Sequence, residues 1–298
     1  MSPSGDSRHY PRRRHVRLCA EQSWRTLPAE PDWTSVPVVG DGFSVRAERD
    51  YFRPRELVGG PAAEVRLPEM LRVEGELVTR PYPELTGCLL HAALVREGGE
   101  LPSYCLEHFT PAEPRRITGA RVRRLVLEAD RDGAILRVAF TAADEEARPE
   151  LTEDAFDYTG IGPVPFRLVG AAITAAGRAL TGVEEFVLMI GNELAAGPNT
   201  GGTVGFLAAG RRTVRLRLLA PDDASDFHES VRSGTDFAFQ ATMTHPAGHT
   251  LVLSLPALRG ASNREQARPG ELVRGELRAE AATDAAGNDF TYLVNLIE

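Results

Sequence analysis

Apolar residues recur at every second position through most of the second half of this chain. Val214, Leu216 and Leu218 alternate with Arg215 and Arg217, the pattern of a strand with one buried and one wet face. Phe237, Phe239, Ala241 and Met243 repeat it opposite Asp236, Gln240, Thr242 and Thr244. Leu251, Leu253 and Leu255 follow a His245-Pro246-Ala247-Gly248 connection, whose Pro and Gly suit a turn between antiparallel neighbours. Val273, Leu277 and Ala279 then face Arg274, Glu276, Arg278 and Glu280. A last strand is predicted from Phe290 to Ile297, after a turn over 284–288. Ala224, Phe227 and Val231 fall at helical spacing behind Asp222 and Asp223, and Gly234 ends the run, so one short helix is predicted there.

The first half mixes two periods. Leu71, Val73 and Leu77 mark a strand over 71–79. From Tyr82 the register changes: Leu85, Cys88, Leu89 and Ala92 share a helical face, Pro83 suits a first turn, and Gly98-Gly99 follow. Strands resume at 102–110, 118–128 and 134–141, the last two joined by Asp130-Arg131-Asp132-Gly133, a hairpin sequence. Residues 141–158 carry seven carboxylates against Arg148 alone and read as an exposed loop or excursion. Further strands are predicted at 166–174 and 183–190, with a Gly-rich tip at 197–205. Residues 1–40 hold five prolines, an Arg cluster, Trp24 and Trp33 without sustained periodicity, and read as an extended arm ordered in an assembly. The remainder, 41–298, reads as a single mainly β domain: a β-sandwich or closed barrel of ten or eleven strands with one or two short edge helices.

Composition narrows the function classes. A 42% hydrophobic content with 28 Gly and 21 Pro describes a turn-rich chain that can bury a core rather than a disordered one. No apolar run is long enough to span a bilayer as a helix, and the Arg-rich start lacks the apolar stretch of a secretion signal. Cys19, Cys88 and Cys105 give neither a disulfide framework nor a zinc spacing. A net charge of −8 disfavours general affinity for nucleic acid, yet suits a wall past which DNA moves without being held.

Several sharper motifs have plainer readings. His245 and His249 are four apart but flank a Pro-Gly turn, where that spacing does not share a face, so they read as turn residues rather than zinc ligands. Asp222, Asp223 and Asp226 lack a calcium-loop spacing and read as helix capping. Residues 197–203 lack the Gly-Lys-Ser/Thr of a phosphate loop. Arg115, Arg116, Arg121, Arg123 and Arg124 read as a salt-bridged strand of an acidic protein before they read as a nucleic-acid patch. No nucleophile elbow is present, so no catalytic, cofactor-binding or metal residue is assigned and the chain reads as a non-enzyme.

The order of elements resembles the tail tube proteins of long-tailed phages and related particles. The resemblance rests on Gly75-Glu76-Leu77 leading into Tyr82-Pro83-Glu84-Leu85-Thr86-Gly87-Cys88, on Ile117-Thr118-Gly119-Ala120-Arg121-Val122, and on Val183-Glu184-Glu185-Phe186 before Gly191-Asn192-Glu193-Leu194. Ser233-Gly234-Thr235-Asp236-Phe237 and Pro269-Gly270-Glu271-Leu272 complete it, over roughly 75–297. It implies a subunit that joins copies of itself into rings, commonly six-fold, that stack into a virion tube. The implied partners are other tail proteins, a tape-measure protein and passing double-stranded DNA, with assembly in the host cytoplasm and no membrane. The rival reading is a β-sandwich module at a tail tip that binds carbohydrate or a host surface.

Overall fold

The computed structural model describes residues 14–52, 67–96, 98–199, 202–221, 229, 231–266, 274–283 and 289–297. Among them the chain is mainly β, with sixteen strands in one antiparallel sheet that branches. The strands are β1 (His15–Ala20), β2 (Thr34–Val36), β3 (Val38–Phe52), β4 (Leu67–Thr79), β5 (Tyr104–Phe109), β6 (Arg115–Asp130), β7 (Ala134–Ala142) and β8 (Asp144–Ala147). They continue as β9 (Ala172–Ala175), β10 (Arg178–Leu180), β11 (Glu185–Pro198), β12 (Val204–Pro221), β13 (Phe237–Thr244), β14 (Thr250–Gln266), β15 (Arg274–Ala281) and β16 (Thr291–Asn295).

β6 is the hinge of the architecture. Its first residues, Arg115–Thr118, lie between β5 and β8, whereas Arg124–Ala129 lie between β7 and β11. The change of partners falls at Gly119, whose φ of 67° is the left-handed region that a side chain resists. Registers slip on both sides of it, against β5 and against β7, so the strand bends from a small sheet (β2-β1-β5-β6-β8) into a large one (β10-β9-β13-β14-β15-β12-β11-β6-β7-β4-β3). β14 branches in the same manner: Thr250–Ser254 carry β16 on the flank that β15 occupies from Leu258 onward. The two sheets do not close into the barrel that was one of the two expectations, because β2, β3 and β10 end the rows as edges.

The predicted first helix is α1 (Pro83–Leu94), with Pro83 at its start, Glu84 in its first turn and Leu85, Leu89, Leu90 and Ala93 buried. It packs against β6, β11 and β16 over one continuous apolar core that includes Phe186, Leu188, Leu127, Leu136 and Leu253. Buried Asn192 closes the helix end, donating from Nδ2 to the carbonyls of Ala93 (2.9 Å) and Val122 (3.1 Å), and Arg212 Nη1 donates to Leu94 O (2.7 Å). Of the second predicted helix, Asp222 to His228 lie outside the described residues. Glu229 and Val231 to Ser233 are helical, and Gly234 follows with a φ of 68°.

Three expectations change. The acidic run is not wholly a loop: Asp144–Ala147 is β8, laid antiparallel on Arg115–Thr118. The strand expected over 166–174 is confined to Ala172–Ala175, because Pro163 and Pro165 break the ladder before it and Phe166 is buried in irregular backbone, its N–H donating to Pro81 O. The expected arm contributes β1 and β2, which pair with each other, and β1 pairs with β5. The turn expected at 284–288 lies outside the described residues.

Candidate functional site

For a protein without a catalytic motif the informative surfaces are open strand edges, exposed apolar side chains and charge clusters. β3 is a long edge, but it carries Asp41, Arg46, Glu48 and Arg49 and an excursion between Val38 and Phe43, devices that discourage pairing. β2 and β10 are three residues long. β16 differs: Thr-Tyr-Leu-Val-Asn has no charge, proline or bulge, and its one partner is β14. Leu293 on it is 60% exposed, and Leu296 and Ile297 beyond it are 48% and 54% exposed. The Ile297 N–H donates to His249 Nδ1 (2.9 Å), which fixes this end to the β13–β14 turn. At the far flank of β13, a groove of about 380 Å³ is lined by Leu168, Val169, Ile173, Leu180, Val183 and Arg131. Val169 on its rim is 63% exposed.

The alternating charges of β15 are all paired, Glu276 as a buried carboxylate. Arg215 meets Glu280 (3.4 Å), Arg274 meets Glu184 (3.0 Å), Arg217 meets Glu185, and Arg278 turns to Glu276 on its own strand, with Nε 2.7 Å from Oε1. The basic start of β6 is likewise neutralised: Arg115 by Glu113 and Glu145, Arg116 by Glu107, Arg121 by Glu100, and Arg123 by Glu74 at 3.8 Å. The acidic segment is tied to the sheet by Arg115 on Glu145, Arg25 on Asp144 (3.2 Å) and a hydrogen bond between His15 Nε2 and Glu153 Oε1 (3.2 Å), while Arg148 meets Glu146 (3.4 Å) within the segment.

Beneath that segment lies a group that sequence reasoning missed. Glu107 is 1% exposed and accepts from Arg17 Nε (2.7 Å) and from Arg116 Nε and Nη2 (2.9 and 2.6 Å). The Arg17 guanidinium lies 4.5 Å from the centre of the Trp33 ring and 5.3 Å from that of Phe156, and its Nη1 donates to Ala155 O. A lone carboxylate within Tyr-Cys-Leu-Glu-His-Phe gives no hint of this burial.

The singled-out histidines are engaged in the fold. Ala247 N–H donates to His245 Nδ1 (3.0 Å), so the proton sits on Nε2, which donates to Val164 O (2.9 Å). Asp222, Asp223 and Asp226 lie outside the described residues. Cys19 stands directly opposite Cys105 in the β1–β5 register, and burial pushes all three thiols up, Cys105 to about 12. No helix among the described residues is long and apolar enough to cross a membrane.

His108 carries a pH dependence. Its Nε2 is buried without a partner and its ring lies 4.6 Å from that of Phe43. Burial, with Arg14 and Arg115 adding to it, lowers its pKa from 6.5 to about 4. The unfolded chain thus takes a proton at this position before the folded one, and the stability contribution present above pH 6.5 is lost as pH falls through 4. We expect His108→Phe to flatten the loss of unfolding free energy between about pH 6.5 and 4, read from urea titrations. A His108→Phe profile parallel to the wild type would contradict this.

Comparison with curated proteins gives no match. The sequence profile of the family described as phage tail tube protein matches residues 11–289, nearly the whole chain and all but the last strand of the branched sheet. The chain belongs to the phage tail tube protein family.

Proposed function

We propose that this chain is the repeating subunit of a tail tube, joining copies of itself into rings, six to a ring, that stack around a lumen. Family membership makes it a structural component of the virion tail. The observation that carries the finer reading is the pairing of that membership with a branched antiparallel sheet whose β16 edge has no device against further pairing. Residues 41–298, together with β1 and β2, act as one tail-tube-like domain. The mechanism is geometric: cross-subunit contacts bury apolar surface and the closed ring sets the bore. Double-stranded DNA and a tape-measure protein occupy the lumen without sequence-specific contact, and the tube is built in the cytoplasm of a bacterial host with the other tail proteins. The neutralised outer charge rows favour such a lumen, since Arg217, paired to Glu185, has no free positive charge to hold a phosphate. No catalytic, cofactor or metal residue is assigned, and no enzymatic step is needed.

The purified chain, concentrated and viewed by negative-stain electron microscopy, is expected to form rings or hollow tubes of one diameter. A species that stays monomeric at every concentration and salt would move the weight to a tail-tip binding module, to be tested next with a glycan screen.

A further inference from the structure

Large apolar side chains left in water are the strongest unspent feature of this surface. Six are exposed among the described residues, and four of them fall on just two patches: Leu293, Leu296 and Ile297 at the end of the chain, and Val169 on the rim of the β9–β10 groove. One patch is a knob and the other a hollow. β16 hangs on β14, β14 pairs with β13 and β13 with β9, so the two lie about three strand spacings apart, roughly 14 Å. The hydrogen bond from Ile297 to His249 holds the knob at the β13–β14 turn. Their chemistry matches: the hollow is lined by Leu168, Ile173, Leu180 and Val183, with Arg131, which it shares with Glu184, as its one cation.

We propose that Leu293, Leu296 and Ile297 of one copy seat in the groove between Leu168 and Val183 of the next, an inference that rests on the self-assembly proposed above. A knob and a hollow at different places on one chain make a head-to-tail contact, which generates a ring when the rotation closes and an open fibre when it does not. The occupant is a second copy because each copy carries both halves of the contact.

The test uses two one-sided variants of the full chain, Val169→Asp for the hollow and Leu293→Asp with Ile297→Asp for the knob. All three positions are more than half exposed, so thermal melts should match the wild type. In sedimentation velocity over a concentration series, each variant should self-associate at least about tenfold more weakly than the wild type. Val169→Ile should retain association. An equimolar mixture of the two variants keeps one intact knob and one intact hollow, so it should stop at a one-to-one dimer. Rings or tubes formed equally well by both variants would overturn this contact and leave the tube reading standing. A wild-type chain that remains monomeric throughout would overturn both.

Discussion

Replacing Glu107 by leucine is expected to lower the unfolding free energy by about 3–5 kcal/mol, read as a shift of the urea midpoint with little change in slope. The reason is the company it leaves behind. Arg17 and Arg116 lie against the same carboxylate with side chains 15% and 18% exposed, so its loss leaves two largely desolvated guanidinium groups, Arg116 with Glu146 at 3.7 Å as its remaining carboxylate. Arg17 cannot swing out at low cost, because Trp33 and Phe156 flank it and Ala155 accepts from it. Glu107→Gln keeps the shape and one acceptor and should cost roughly half as much. Replacing all three side chains by apolar ones removes the charges together and should recover most of the loss, since a buried ion cluster contributes little beyond a well-packed apolar core. A loss under about 1 kcal/mol for Glu107→Leu would mean that water reaches the two arginines.

What the sequence made legible follows from how local each cause is. Period two in Phe237–Met243 survives folding because one face of β13 meets the core and the other does not, and both facts are written in eight residues. Helix α1 is legible for the same reason, through Pro83, Glu84 and the Leu85–Leu89 stripe. Charge runs were the weaker guide. Seven carboxylates mark water at the level of composition, yet Arg115 and Arg116, which meet Glu145 and Glu146, stand on β6, some thirty residues earlier, and only the register brings them together. The burial of Glu107 is less legible still, because it requires β1, β5, β6, Trp33 and Phe156 to converge. The expected ten or eleven strands become sixteen among the described residues partly because β2, β8 and β10 are only three or four residues long, too short to show a period of two. Asn192 stood within a quoted motif, but its task of closing α1 becomes visible only when β11 passes beneath the helix end. The knob at Leu293 and Ile297 fell inside a predicted strand, and alternation alone does not show that the exposed partner of Tyr292 and Val294 is another apolar residue facing water.

Gly119→Ala is expected to lower the unfolding free energy by about 3 kcal/mol. Two costs add. The backbone at φ 67° charges any residue with a Cβ about 1–2 kcal/mol. The added carbon would also stand 2.8 Å from Trp24 Nε1, 2.9 Å from Ala143 Cβ and 3.0 Å from Arg25 Cγ, closer than packed side chains tolerate. Relief by local movement is restricted on both sides: Gly119 N–H donates to Glu21 Oε1 (2.8 Å), and Ala143 N–H donates to Thr118 O (3.0 Å). Because the small sheet and the large sheet share only β6 across this point, the strain should show as lost coupling between them. Hydrogen exchange is expected to rise in β1, β5 and β8 of the variant well before it rises in β12 and β13. Uniform acceleration across both sheets, or a loss under about 1 kcal/mol, would show that β6 does not act as the hinge between them.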